Sequence, residues 1–178
     1  MSKRRLALIL GGARSGKSRR AEALALEWGR ERDETWVYLA TAEPFDDEMG
    51  ARVAQHRADR DGRGWITVEE PLELVRALDR ETTTGRVVLV ECLSTWLGNL
   101  MHHGRDVPTA IDGLIAWAGT DGDGAVVLVA NEVGFGLVPE NAMARAFRDH
   151  AGRLHQALAA RADRVELVIA GIPMAVKG

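Results

Sequence analysis

Eight consecutive residues, Gly11, Gly12, Ala13, Arg14, Ser15, Gly16, Lys17 and Ser18, spell the G-x-x-x-x-G-K-S pattern of a phosphate-binding loop. Its glycines let the backbone turn tightly enough to aim successive N–H groups at a phosphate chain, and a following helix adds its positive end. Lys17 is placed to reach β- and γ-phosphates, and the Ser18 hydroxyl to ligate Mg²⁺. All eight are therefore candidate nucleotide-binding residues, Lys17 a catalytic one and Ser18 a metal ligand. The competing reading, a glycine turn with a solvated lysine, leaves the octet unexplained. The chain is expected to bind a nucleoside triphosphate, ATP or GTP.

A phosphate loop needs a carboxylate on a neighbouring strand to hold the metal, directly or through water. Glu91, directly after Val87-Val88-Leu89-Val90, is the candidate, with Glu where Asp is commoner. A carboxylate at a strand end can also cap a helix. A second group of chemical interest is Asp46, Asp47 and Glu48, followed by Met49, Arg52 and His56 at helical spacing, so that these side chains can share a face. On spacing alone His56 reads as a surface imidazole on a charged helix rather than as a catalytic group. His102 and His103 lie side by side in an expected surface segment and define no metal site; His150 and His155, five apart, do not stack and read as packing residues. The segment Asn131 to Glu140, NEVGFGLVPE, follows an apolar run. There it faces the ligand crevice of a parallel sheet, unless it is an ordinary strand-to-helix connection.

These groups must be carried by something. Leu6 to Leu10 is a buried-strand pattern before the loop, and Arg19 to Gly29 a helical one after it. Further strands are expected at Trp36 to Ala40, Trp65 to Val68, Arg86 to Val90, Ala125 to Ala130 and Val165 to Ala170. Helices are expected at Phe45 to Arg60, Pro71 to Arg80, Pro108 to Ala118 and Asn141 to Arg161. Strands alternating with helices predict an α/β, three-layer P-loop nucleotide-binding fold, its mostly parallel sheet covered by helices on both faces. Asp61 to Gly64, Thr82 to Gly85 and Gly119 to Gly124 read as short turns. The last carries Asp121 and Asp123 but lacks the length and terminal Glu of a calcium loop.

With 178 residues, 46% of them hydrophobic, the chain has enough apolar side chains for one sizeable core, so a single domain spanning 1–178 is expected. A net charge of −3 gives no reason to propose nucleic-acid wrapping or attraction to a membrane. Lone Cys92 excludes an intrachain disulfide and a cysteine-based zinc site, and its place after an apolar run favours a buried residue over a nucleophile. The short apolar run near the N-terminus leads straight into the phosphate loop, where cleavage of a signal peptide would destroy it. A cytoplasmic protein without membrane insertion is expected.

Together the motifs resemble a known family. GGARSGKSRRAE, ATAEPFDDEMGARVAQHR, the Glu91-Cys92 pair, NEVGFGLVPE and FRDHAGRLHQALAARAD are similar to the bifunctional adenosylcobinamide kinase / adenosylcobinamide-phosphate guanylyltransferases of cobalamin biosynthesis, from Leu6 to about Pro173. DDEM-x-x-R-V-x-x-H combined with NEVG-x-G-x-VPEN separates this family from other small kinases. The resemblance implies that His56 takes guanylate from GTP as a phosphoramidate. Arg52, with Asp46, Asp47 and Glu48, then belongs to the same guanylate-carrying segment and is a nucleotide-binding residue, and Glu91 is the acidic partner of the phosphate loop. Gln55 departs from relatives that carry a second histidine there. Also implied are a RecA-like sheet, Mg²⁺, adenosylcobinamide and adenosylcobinamide phosphate as substrates, and a homotrimer. Whether Glu91 binds metal, acts as base or does neither stays open. Two other readings compete: a small-molecule kinase that uses only the phosphate loop, and a nucleotide-dependent switch or ATPase module.

Overall fold

The computed structural model describes residues 4–31, 34–43, 62 and 64–178. Their strands are β1 (Arg5–Gly11), β2 (Thr35–Ala40), β3 (Trp65–Glu69), β4 (Arg86–Glu91), β5 (Ala125–Asn131), β6 (Arg164–Ile169) and β7 (Ile172–Lys177). They form one sheet in the order β3-β2-β4-β5-β1-β6-β7, parallel throughout except for the antiparallel pair β6–β7. The helices are α1 (Lys17–Arg30), α2 (Leu74–Glu81), α3 (Leu93–His102), α4 (Val107–Ala118) and α5 (Ala142–Arg161).

Strand side chains alternate in direction, so each central strand contributes to two cores. Ala7 and Ile9 of β1, Val87 and Leu89 of β4, and Val127 and Val129 of β5 pack on one face with Ala21, Leu24, Ala25 and Trp28 of α1. Leu6, Leu8, Val88, Val90, Val126 and Leu128 point to the other, against α2 to α5. Both faces of the middle strands are dry, which is why these strands read as continuous apolar runs. The three-layer α/β arrangement expected from the sequence is the one observed.

Three local expectations change. The helix expected from Pro71 begins instead at Leu74, because the Glu70 carboxylate accepts from Leu72 N (3.1 Å) and Glu73 N (2.8 Å) and holds the chain in a turn. The segment before His102 and His103 is helix α3, whose Leu93, Trp96, Leu97 and Leu100 are buried while the two histidines project at its exposed end. Buried on most sides, α3 carries no amphipathic stripe for periodicity to detect. Strand β7 was not expected: it is exposed along its whole length and contains Pro173, as edge strands tolerate. Ala170 (φ 52°) and Gly171 (φ 79°) form the two-residue turn that reverses the chain into it. The expected helix Phe45 to Arg60 lies outside the described residues.

Candidate active site

β1 stops at Gly11 and α1 starts at Lys17, so residues 12 to 16 form the turn between a buried strand and a helix N-terminus. Gly16 is the N-cap residue at φ 92°, a left-handed conformation for which glycine is suited, and a Cβ there would lie 3.1 Å from the Gly171 Cα. Among the described residues no side chain caps α1 and no acidic residue occupies its first turn. Its leading N–H groups and positive end are therefore suited to an anion. Ser15 N donates to Gly12 O (3.2 Å), and Gly171 N donates to Ser15 O (2.7 Å), so the β6–β7 turn braces the loop from one flank. Lys17 curls over the loop with Nζ 3.5 Å from Gly12 O.

Across the sheet, Ser18 Oγ donates to Glu91 Oε1 at 2.9 Å, joining residues 73 apart in sequence. The structure thus brings together Gly11 to Ser18 and Glu91. Their serine hydroxyl and carboxylate are hard oxygen donors of the kind Mg²⁺ prefers. Among the described residues no three His, Cys, Asp or Glu side chains converge on a metal position. His56 and Arg52, with Asp46, Asp47 and Glu48, lie outside the described residues.

Thr41, just beyond β2 and fully buried, is a site residue that the sequence analysis missed. Its hydroxyl accepts from Cys92 N (2.8 Å) and lies within donating distance of Cys92 O (2.8 Å) and Glu91 O (3.1 Å); its own N–H donates to Glu91 O (3.0 Å). Asn99 Nδ2 in turn donates to Thr41 O (2.7 Å) and Pro71 O (3.1 Å). This buried polar knot holds the backbone of Glu91. Its only sequence signal was a hydroxyl residue at the carboxyl end of a strand.

Cys92 caps α3, its Sγ accepting from Thr95 N at 3.4 Å. Burial, then the charge of Glu91, pushes its thiol up, so it stays protonated and is no nucleophile. Asn131 N donates to Ser94 Oγ (2.7 Å) and Glu132 N to Gly11 O (3.0 Å), which tie the start of the 131–141 loop to α3 and to the phosphate loop. Nearby His155 is buried; desolvation pushes its pKa down against the opposing pull of Glu132. Arg20 is a structural residue: its Nε and Nη2 donate to the two oxygens of buried Glu166 at 2.7 and 2.8 Å, pinning α1 to β6.

A family model described as "Cobinamide kinase / cobinamide phosphate guanyltransferase" matches residues 7–176. The bifunctional adenosylcobalamin biosynthesis protein CobP of Pseudomonas aeruginosa is 48% identical over 175 residues, covering 96% of each chain. The bifunctional adenosylcobalamin biosynthesis protein CobU of Escherichia coli is 42% identical over 185 residues, covering 96% of this chain and 98% of that one. Among solved structures, an ATPase domain superposes with a TM-score of 0.46 at 13% identity, over 93% of this chain and 70% of that one. With a phosphate loop joined to a strand-end glutamate and a family match over nearly all its length, the chain belongs to the bifunctional cobinamide kinase / cobinamide phosphate guanyltransferase family of enzymes.

Proposed function

We propose that this chain, as one domain, phosphorylates adenosylcobinamide and then transfers GMP to the product. The observation that carries the first step is the Ser18–Glu91 contact beside the uncapped N-terminus of α1. The terminal hydroxyl of the aminopropanol arm attacks the γ-phosphorus of ATP or GTP, loses its proton, and the nucleoside diphosphate leaves. Lys17 and the loop N–H groups stabilise the charge on the transferring group. Ser18 and Glu91 would hold Mg²⁺, which when bound neutralises phosphate charge. Thr41 fixes where Glu91 sits. In the second step a neutral ring nitrogen of His56 attacks the α-phosphorus of GTP, pyrophosphate leaves, and a P–N bond forms. A phosphate oxygen of adenosylcobinamide phosphate then attacks that phosphorus, breaking the P–N bond and giving adenosylcobinamide-GDP. Arg52 binds the guanylate phosphate.

The resemblance in DDEM-x-x-R-V-x-x-H supports the histidine step, and the family likeness as a whole supports a homotrimer; lone Cys92 suits the reducing cytoplasm. The net charge of −3 supports a protein without a nucleic-acid partner. The test is incubation with GTP labelled at the α-phosphate, with Mg²⁺, followed by denaturation. Acid-labile, base-stable label on the wild-type chain and none on His56→Ala, which keeps its kinase activity, is the expected result. Equal labelling of both chains would remove His56 from the reaction.

A further inference from the structure

A cavity of about 800 Å³ opens between α3, the 131–141 loop and the start of α5, and none of the roles above uses it. Gly98 and Met101 line it from α3, Val133 and Asn141 from the loop, and Met143 and Phe147 from α5. We propose that it seats the edge of the corrin ring of cobinamide, with the hydroxyl arm directed along β5 to the phosphate loop. The assignment rests on the kinase reading above.

The loop leaves β5 at Asn131, which is in register with Gly11 of β1, and Glu132 N bonds Gly11 O at 3.0 Å. Helix α3 starts two residues after Glu91 and is tied to Asn131 through Ser94 Oγ at 2.7 Å. Val133 is only two residues beyond Asn131, a reach of at most about 7 Å, so the cavity wall begins beside the phosphate loop. On the opposite flank of the loop, Gly171 N is hydrogen-bonded to Ser15 O and β7 follows.

A corrin ring is a broad macrocycle with methyl-studded faces and a rim of carboxamides. It needs an apolar wall for the ring and a few amide-directed polar groups at the edge, in a space near the upper end of ordinary ligand sites. The wall here supplies Met101, Met143 and Phe147, the methionines being adaptable thioethers. Asn141 accepts from Met143 N (2.8 Å) and Ala144 N (3.2 Å) through Oδ1, which leaves its Nδ2 hydrogens for a carboxamide oxygen. Arg148, also on the wall, donates through Nη1 to Leu137 O (3.2 Å) and retains its other N–H donors. At the mouth, Met143 is 66% exposed and the loop side chains Phe135 and Leu137 are 82% and 95% exposed, an apolar lip that a large flat ligand would cover.

The test uses dicyanocobinamide as the calorimetric probe, with a non-hydrolysable ATP analogue titrated separately. A Cβ on Gly98 meets nothing within 4 Å, so Gly98→Phe places a ring in the cavity without backbone conflict. Met143→Asp puts a charge on the lip at an exposed position. Both variants are expected to weaken dicyanocobinamide binding about tenfold or more, which corresponds to about 1.4 kcal/mol. Affinity for the ATP analogue should be unchanged. Wild-type dicyanocobinamide affinity in both variants would overturn the cavity assignment while leaving the kinase reading intact. If the wild-type chain binds the ATP analogue but neither binds nor phosphorylates the corrinoid, the kinase reading itself falls. Unchanged corrinoid affinity with a smaller assembly mass by light scattering would assign the cavity to a second copy of the chain. Should Gly98→Phe fail to fold, Met143→Asp decides by the same criterion.

Discussion

Replacing Thr41 by valine removes one hydroxyl and keeps the shape of a side chain that is fully buried. The cost can be worked group by group. Glu91 O keeps the Thr41 N–H at 3.0 Å, and Cys92 O keeps Trp96 N at 3.1 Å, so both carbonyls retain a partner. Cys92 N loses the hydroxyl that accepted from it at 2.8 Å. A buried donor left in that state costs about 1–3 kcal/mol. Thr41→Ser keeps the hydroxyl and loses one buried methyl, about 0.8 kcal/mol. For a chain of this length each kcal/mol is worth roughly 2–4 °C. The valine variant should therefore melt about 4–8 °C below wild type and the serine variant about 2–3 °C below. Because the lost bond holds the peptide after Glu91, valine should also slow cobinamide phosphorylation by about tenfold or more, and serine should restore most of it. Thermal melts and initial rates on the three proteins decide this. A valine variant that melts at or above the serine variant, or that phosphorylates at the wild-type rate, refutes the positioning role.

Lys17→Ala removes the cation of the phosphate loop and should lower cobinamide kinase turnover by about a hundredfold or more at saturating nucleotide; turnover near wild type would exclude that role. Glu91→Gln keeps the volume and can still accept from Ser18 Oγ, so the melt should hold while the Mg²⁺ needed for half-maximal kinase rate rises, as a magnesium titration will show. Glu166 supplies a pH signature: hydrogen bonds from Arg20, and the nearby charges of Arg20 and Arg164, hold its carboxyl below the ordinary range despite its burial. A depressed folded value means that its contribution is present above the unfolded pKa of about 4.3 and is lost as pH falls through the folded value. Melting curves of wild type and Glu166→Gln should therefore be well separated at neutral pH and converge as pH drops below about 4; parallel curves would show that the charge is not what matters.

Local pattern carried much of the architecture. Val87 to Val90 and Ala125 to Ala130 are apolar runs because both faces of their strands are buried, and that burial is itself written in the residue types. The octet from Gly11 to Ser18 was legible for a different reason. A turn that brings backbone N–H groups to a phosphate tolerates few residue types, as the φ of Gly16 and its approach to Gly171 show. Helix α3 and strand β7 were not legible: one is buried on most sides, the other exposed on both, and neither leaves a one-sided periodicity.

What the sequence by itself determined is the set of groups that neighbouring residues can define: the phosphate loop, the alternation of strands and helices, and the family to which those motifs point. The tertiary structure alone decided which distant groups meet. Ser18 and Glu91 are joined only because β5 inserts between β1 and β4 and sets their spacing. Thr41 reaches the Glu91–Cys92 peptide only because β2 runs parallel to β4, with Ala40 in register with Glu91. Arg20 becomes the partner of buried Glu166 because α1 crosses the β6 side of the sheet, which no spacing along the chain announces. A hydrogen bond depends on distances of a few ångströms between residues many positions apart, and nothing in the local spacing of a chain encodes those distances.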